Sequence, residues 1–185
     1  MIKTKKESPE VLYSLNKYTT VNEKDLSALQ QKGLRNKKRI IRLCIHKSKK
    51  DLVHEMFIVF PKSYYCKPHK HTTEESMSVI TGQADVILFK NNGEIFKVIE
   101  MGDLRSKKMF YYKLHRNTFH TLLIKSKYLF FYEVTKGPFK KSNMKSPKWA
   151  PGENKLEIKL FLYQLKKKIT DFKKKFKNNK RKYIR

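Results

Sequence analysis

One short stretch carries most of the information about this chain: residues 68–75 read PHKHTTEE. Because side chains alternate along a strand, His69 and His71 would lie on the same face of an extended segment. A carboxylate, Glu75, follows four positions after the second histidine, and a third histidine, His120, comes much later in the chain. Three imidazoles and one carboxylate suit a divalent ion such as Fe, Mn, Ni, Co or Zn. We therefore predict that these four side chains bind one divalent metal ion. The alternative is a polar surface turn that happens to contain histidines.

The segment around this stretch, residues 51–138, has the pattern of an all-β domain. Short apolar runs follow one another, and turn residues separate them, as at Gly82-Gln83 and at Asn91-Asn92-Gly93. Many short strands divided by turns are typical of barrels and sandwiches. The expected fold class is therefore mostly β, with a small barrel at 51–138.

The segments before and after the barrel differ from it in character. Residues 1–50 form an N-terminal extension that begins irregularly and then contains a short helix between Thr20 and Gly33 and a basic strand. Residues 139–154 form a proline-containing loop with the single tryptophan, Trp149. We expect this loop to pack on the barrel.

Residues 155–185 predict a basic amphipathic helix, because apolar residues recur at intervals of three and four. The lysines between them are Lys166, Lys167, Lys168, Lys173, Lys174 and Lys175. An apolar stripe among lysines is typical of a helix that lies on an anionic membrane surface, which is one expectation for this tail. The alternative is that the stripe packs on the barrel or on the partner in a homodimer.

The composition is strongly basic, with 44 Lys and Arg against 16 Asp and Glu and a formal net charge of +28. Such an excess attracts nucleic acid, anionic lipid or small phosphate compounds, although solvated surface lysines explain most of it equally well. Lysine greatly outnumbers arginine, whereas bidentate recognition of phosphates and bases favours arginine. No helix-turn-helix, RNP or zinc-finger pattern is present, so nucleic acid is not the expected partner.

Length and cysteine content bound the remaining possibilities. A chain of 185 residues has room for one domain with a core plus terminal extensions. Two cysteines, Cys44 and Cys66, are too few for a disulfide framework. The first residues carry charge but no apolar core of a signal peptide, and no apolar run approaches about 20 residues. We therefore expect a cytoplasmic protein, with the tail as the part that would touch the inner face of the membrane.

The spacing of these residues resembles the two sequence motifs of the cupin superfamily. In the first motif, six residues separate Glu75 from Gly82, which favours Glu75 over Glu74 as the ligand. The stretch that ends at Phe119-His120 resembles the second motif. More narrowly, the chain resembles the WbuC family of cupin-fold metalloproteins from about Val21 to Asn154. The matching pieces are the basic segment with Arg39, Arg42 and His46, YCKPHKH at 65–71, FHTL at 119–122, YEVTKGPF at 132–139 and WAP at 149–151.

The resemblance implies a double-stranded β-helix, which is a small β-barrel, with one metal ion inside its mouth. WbuC-family members are associated with bacterial gene clusters for O-antigen, a part of lipopolysaccharide, and for other surface polysaccharides. The chain departs from the motifs at Ser63, where the first motif begins with glycine. In the second motif His115 and Asn117 replace the usual proline and glycine. Asparagine tolerates left-handed backbone, so Asn117 can make the required turn.

Further candidates lie near the motifs. Lys67 is two residues before His69 and would point into the barrel mouth, where it could bind a phosphate or carboxylate, unless it is a rim lysine in solvent. The resemblance also suggests that Arg39, Arg42 and His46 border the site and bind an anionic substrate group, with a solvated strand edge as the simpler alternative. Glu133 is a candidate general base.

Three functions remain open at this stage. The first is an enzyme that acts on a sugar or nucleotide-sugar intermediate of surface-polysaccharide biosynthesis, as a metal-dependent isomerase or epimerase, or as a dioxygenase-type cupin if the metal is Fe(II). The second is a non-catalytic, metal-stabilised sugar-binding or regulatory module at the membrane surface. The third, a nucleic-acid binder, rests on charge alone.

Overall fold

Two β-sheets that pack face to face form the centre of the molecule. The computed structural model describes residues 2–182, with side chains up to Lys175, so that 183–185 of the predicted tail lie outside the described residues. The strands are β1 (Thr4–Ser8), β2 (Val11–Ser14), β3 (Ile41–Cys44), β4 (Val53–Pro61), β5 (Lys70–His71), β6 (Glu75–Thr81), β7 (Gln83–Phe89), β8 (Ile95–Gly102), β9 (Tyr111–Leu114), β10 (Phe119–Ile124), β11 (Tyr128–Lys136) and β12 (Met144–Lys145), and the α-helices are α1 (Glu23–Leu34) and α2 (Lys155–Lys182).

The strand order is that of a double-stranded β-helix. The larger sheet has the order β1-β2-β3-β4-β11-β6-β9, and the smaller sheet has the order β10-β7-β8. A bridge between His69 and His120 extends the smaller sheet to β5, which in turn pairs with β12. The four strands β4-β11-β6-β9 therefore face β5-β10-β7-β8, which is an eight-stranded jelly roll. The expectation of a mostly β fold with a small barrel is confirmed.

One apolar core fills the space between the two sheets. It includes Met77 and Phe131 from the larger sheet and Val86 and Leu88 from the smaller sheet. Along β11, Leu129 and Phe131 belong to this core whereas Phe130 belongs to a second cluster on the outer side of the larger sheet. This alternation decides which side chains of each strand point into the barrel.

A glycine turn joins the two sheets. Gly82 lies between β6 and β7 with a φ of 95°, a left-handed conformation that favours glycine. A Cβ at this position would lie 2.3 Å from the carbonyl oxygen of Tyr128. No other residue type therefore fits the turn that leads from one sheet into the other.

The short N-terminal helix forms close to where the sequence predicts it. Asn22 caps α1 by accepting from the backbone N–H of Asp25, whose carboxylate accepts from the backbone N–H of Asn22 in return. Leu29 is buried and packs in the outer cluster with Ile41 of β3. The helix thus covers the outer side of the larger sheet and leaves the barrel interior free.

The expectation of an irregular segment before this helix is wrong. Residues 4–14 form the hairpin β1-β2, and β2 pairs in parallel with β3. The two strands are short and β1 carries three charged residues, so their sequence has little strand character of its own. The free edge of β3 supplies the hydrogen-bonding partner of β2, and Leu12 is buried in the outer cluster.

The C-terminal helix lies on the outer side of the smaller sheet. Leu165 and Ile169 are buried in a third cluster with Ile87 and Phe89 of β7. Trp149 of the preceding loop packs on Phe89, at 5.0 Å between ring centroids, and donates from Nε1 to the carbonyl oxygen of Asn91 at 3.0 Å. The predicted amphipathic helix is confirmed, and its apolar stripe contacts the barrel.

Ion pairs fix the same helix further along. The Nζ atom of Lys173 lies 3.4 Å from the buried carboxylate of Asp85 and 2.5 Å from that of Glu100. Lys125 also pairs with Asp85, at 3.1 Å. Lys173, predicted to face a membrane, therefore points toward the barrel instead. Within residues 2–182, the helices lack the combined length and apolarity that a membrane crossing requires.

Replacing Ile169 by Ala should lower the free energy of unfolding by about 2–5 kcal/mol, because it leaves a cavity between α2 and the smaller sheet. The matched control is Leu160→Ala on the exposed side of the same helix, which should change it by less than about 0.5 kcal/mol. Urea denaturation followed by circular dichroism measures both. Equal losses in the two variants would contradict this packing.

Candidate metal centre

Strands β5 and β10 bring the predicted histidines together. The backbone N–H of His69 donates to the carbonyl oxygen of His120 at 3.0 Å, and that of His120 donates to the carbonyl oxygen of His69 at 2.8 Å. His71 follows on the same face of the strand. One ring nitrogen from each of the three side chains lies within 4.8 Å of the other two.

Glu75, the first residue of β6, joins this cluster from the larger sheet. Its two carboxylate oxygens lie 3.1 Å from Nε2 of His71 and 3.0 Å from Nε2 of His120. The buried hydroxyl of Tyr112 on β9 donates to the same carboxylate at 3.1 Å. The structure thus brings all four predicted ligands to one place in the barrel.

Charge coupling between the sheets shifts the pKa values of this cluster. Burial alone would raise the pKa of Glu75, but the charges and hydrogen bonds of His120 and His71 outweigh it and hold that pKa well below its usual range. Burial alone would lower the pKa of His120. The charge and the hydrogen bond of the Glu75 carboxylate outweigh burial and raise this pKa to about 9. Burial, followed by the charge of His120, lowers the pKa of His69.

The donor set fits a divalent metal ion. The Nδ1 atom of His69 lies 2.8 Å from the carbonyl oxygen of Lys67, and Nδ1 of His120 lies 3.0 Å from that of Thr118. A carbonyl can only accept, so each Nδ1 carries a proton and donates it, and Nε2 is the nitrogen that faces the cluster. His120 also carries a proton on Nε2 while it pairs with Glu75, and a metal ion would displace that proton to bind the nitrogen. Such hydrogen bonds orient metal-ligating histidines in proteins. The cluster therefore suggests a divalent-metal site.

A left-handed residue places His120 in the cluster. Asn117 has a φ of 64°, and its backbone N–H donates to the carbonyl oxygen of His71 at 2.7 Å. Asparagine adopts this conformation more readily than most residues. It therefore makes the turn into β10 that the second cupin motif makes with glycine.

Glu133 and Arg42 lie on the wall of the barrel opposite β5 and β10. Glu133 is two residues after Phe131 on β11, so it shares the inward face of that strand. Burial, followed by the nearby negative charge of Glu75, raises the pKa of Glu133 to about 7, although the Arg42 guanidinium acts against this rise. Arg42 of β3 lies over the ring of Phe60, with 5.5 Å between Cζ and the ring centroid.

Two predicted substrate-binding residues do not reach the barrel interior. Arg39 is exposed and donates to the Tyr128 hydroxyl at 3.3 Å on the outer side of the larger sheet. Arg39 lies in the turn before β3, with a φ of 56°, whereas Arg42 lies within β3 opposite Ile58 of the interior core, which is why only Arg42 points inward. Lys67 is exposed as well, and its contribution to the cluster is its carbonyl oxygen.

His46 belongs to a separate buried pair. Its ring stacks on that of His54 with 4.1 Å between centroids, and its Nδ1 accepts from the backbone N–H of Glu55 at 3.1 Å. Burial, followed by the charge of His54, lowers the pKa of His46. Nε2 of His54 is buried without a hydrogen-bond partner among the described residues.

Sequence reasoning missed two polar contacts of the site, although it named Tyr112 as a residue that could line the cavity or belong to the core. The first is the hydroxyl of Tyr112, although the alternation of exposed Tyr111 and Lys113 with buried Tyr112 and Leu114 could have indicated an inward tyrosine. The second is the ion pairing of Glu74, which is exposed and lies 2.6 Å from Lys113 and 3.1 Å from His115. Both follow from the pairing of β6 with β9.

Strand order and converging histidines together define a cupin-like protein with a candidate site for a divalent metal. A family model described as a domain of unknown function (DUF6016) matches residues 21–101, which is less than half of the chain and ends before His120. No curated protein matches the sequence.

Three solved structures illustrate the similarity to known folds. The DMSP lyase DddQ from Ruegeria pomeroyi has a TM-score of 0.47 at 13% identity, over 62% of this chain and 54% of that chain. Protein SO0799 from Shewanella oneidensis has a TM-score of 0.46 at 11% identity, over 55% and 66%. Oxalate decarboxylase from Bacillus subtilis has 0.43 at 15% identity, over 52% and 24%. This chain thus spans between a quarter and two thirds of these proteins, and its fold assignment rests on its own strand order.

Replacing His120 by Ala should remove bound metal, because it deletes one of three imidazoles and the partner of Glu75. The matched control is His115→Ala, an exposed histidine in the same second motif, which should retain metal. The measurement is metal content by mass spectrometry after purification without chelator. Full metal occupancy in a folded His120→Ala protein would contradict the ligand assignment.

The His46 pair predicts a fall in stability below neutral pH. Its folded pKa is lower than its unfolded pKa of about 6.5, so between the two values only the unfolded chain binds the proton. The free energy of unfolding should therefore decrease as the pH falls through about 6.5. Urea midpoints against pH measure this, and the slope should be smaller in His46→Asn than in the control His115→Ala. Identical slopes in the two variants would show that His46 does not cause the pH dependence of the free energy of unfolding.

Proposed function

We propose that this protein is a metal-dependent cupin enzyme that acts on a sugar or nucleotide-sugar intermediate of bacterial surface-polysaccharide biosynthesis. The resemblance of its motifs to the WbuC family supports the substrate class. The observation that carries an enzymatic role is the position of Glu133, an inward carboxylate with a pKa of about 7 on the wall that faces the histidine cluster.

Glu133 has the properties of a proton carrier. At neutral pH a group with this pKa is present in both protonation states, so it can remove a proton and also return one. Glu75 remains ionised because its pKa is held well below the usual range. The pKa shifts of these two interior carboxylates are opposite, so Glu75 provides a fixed negative charge and Glu133 provides the acid–base group.

Arg42 supports an anionic substrate. Its guanidinium lies on the ring of Phe60 and is half-buried, which holds it on the inward face of β3. A planar guanidinium binds a phosphate or carboxylate through two parallel hydrogen bonds. An anionic group of the substrate bound there would place the rest of the molecule between Glu133 and the histidine cluster.

A divalent ion held by His69, His71, His120 and Glu75 would supply a Lewis acid that polarises a carbonyl or hydroxyl oxygen. Tyr112 holds the Glu75 carboxylate in place by its hydrogen bond. Glu133 would take a proton from the bound substrate and return it at another position, which is the proton transfer of an isomerase or epimerase.

The test is turnover of a panel of nucleotide-sugars by metal-loaded protein, followed by nuclear magnetic resonance. Glu133→Gln keeps the shape of the side chain and should lower kcat by about 10²–10⁴-fold while metal content is retained. The matched control, Glu74→Gln, changes an exposed carboxylate and should leave kcat unchanged. Arg42→Gln should mainly raise KM.

Two outcomes would replace this proposal. Saturable sugar binding without turnover under any metal, unchanged in Glu133→Gln, would favour the non-catalytic sugar-binding or regulatory module. Turnover that requires both Fe(II) and oxygen would favour the dioxygenase-type cupin.

A further inference from the structure

Helix α2 has apolar side chains on two opposite faces. Its inner face holds Leu165 and Ile169 against the smaller sheet. On the other side, Leu156, Leu160 and Tyr163 follow at intervals of four and three, and they are 75%, 56% and 68% exposed. At 3.6 residues per turn these intervals put the three side chains in one row. We call this row and its continuation through Lys167 and Lys174 the outer face.

Lysines surround the exposed apolar row. Lys167 continues it four residues after Tyr163, and Lys159 and Lys166 lie beside it on the same half of the helix. Residues 155–175 contain eight lysines against two acidic residues. Apart from Lys173, which pairs with Asp85 and Glu100, these lysines are exposed.

The barrel fixes the direction in which this face points. Burial of Leu165 and Ile169, and the ion pairs of Lys173, hold the inner face on the smaller sheet. The outer face is therefore presented to the surroundings on a helix that is already folded. This differs from an amphipathic tail that folds only on contact with lipid, because the main apolar stripe is already used within the protein.

We propose that the outer face of α2 binds the surface of an anionic lipid bilayer. Leu156, Leu160 and Tyr163 enter the interface between headgroups and acyl chains, and the lysines on the same face contact the anionic headgroups. Tyrosine suits this position because it has an apolar ring and a polar end.

Charge and apolarity together select lipid over the other polyanions and over a second copy. The phosphates of a nucleic acid would contact the lysines, but they would give the exposed leucines no apolar partner. A homodimer through this face would bring the lysines of two copies together, which like-charge repulsion opposes. An anionic bilayer matches both features, because it offers negative headgroups above an apolar layer.

The experiment is co-sedimentation of the full chain with vesicles at physiological salt. Vesicles of phosphatidylcholine mixed with phosphatidylglycerol should bind the protein, and vesicles of phosphatidylcholine alone should bind far less. The triple variant Leu156→Ser, Leu160→Ser, Tyr163→Ser should lose more than about tenfold in binding. Lys167→Glu with Lys174→Glu should lose binding too. The matched control, Leu104→Ser, removes a more exposed leucine away from the helix and should bind as the wild type does.

Three results would overturn the proposal. Equal vesicle binding by the triple variant and the wild type would show that this face is not inserted. Binding to an RNA oligonucleotide but not to vesicles, lost in the lysine variant, would assign the surface to nucleic acid. A concentration-dependent dimer seen by light scattering, lost in the triple variant and without vesicle binding, would assign it to a second copy.

Discussion

The candidate site depends on a single antiparallel bridge between His69 and His120. Two backbone hydrogen bonds at this bridge align the segment of residues 68–75 with β10, and both imidazoles then share the interior of the barrel. The two side chains make the same local hydrogen bond, since Nδ1 of each histidine donates to the carbonyl oxygen two residues earlier. Backbone pairing therefore sets the position of both candidate ligands, and the hydrogen bond of each Nδ1 sets the orientation of its ring. Only Glu75 has to come from the other sheet, and the turn at Gly82 keeps its strand next to the smaller sheet.

The distribution of charge explains how a protein with a formal net charge of +28 maintains acidic groups in its interior. Glu75 is stabilised as an anion by His120 and His71, whereas Glu133 has no ion pair or hydrogen bond of this kind among the described residues and its pKa rises to about 7. Asp85 is buried on the other side of the smaller sheet and pairs with Lys125 and Lys173. Each interior carboxylate thus has a distinct balance between burial and neighbouring cations, and Glu133 is the one left free to exchange a proton near neutrality.

Much of this architecture could be predicted from sequence because its signals are local. The spacing of His69, His71 and Glu75 lies within one short stretch, and the turn residues around β6 to β8 mark the barrel strands. The hairpin β1-β2 could not be predicted, because its strands owe their order to the edge of β3 and not to their own composition. Arg39 was misplaced because a resemblance identifies a segment, whereas Arg39 lies in a left-handed turn before β3 and only Arg42 lies within the strand. The inward position of Tyr112 depends on the register between β6 and β9, which is a long-range property.

Helix α2 carries two apolar rows. The stripe predicted from the sequence includes Leu165 and Ile169, which lie on the buried inner face, whereas Leu156, Leu160 and Tyr163 form a second, exposed row on the other side. Burial of Leu165 and Ile169 fixes the rotation of the helix about its own axis, and the ion pairs of Lys173 with Asp85 and Glu100 support the same orientation. With the inner face already buried, docking of the outer face would not have to supply the free energy of folding the helix. A preformed face loses less conformational entropy on binding, so three apolar side chains and a few lysines would have more effect here than on an unfolded tail.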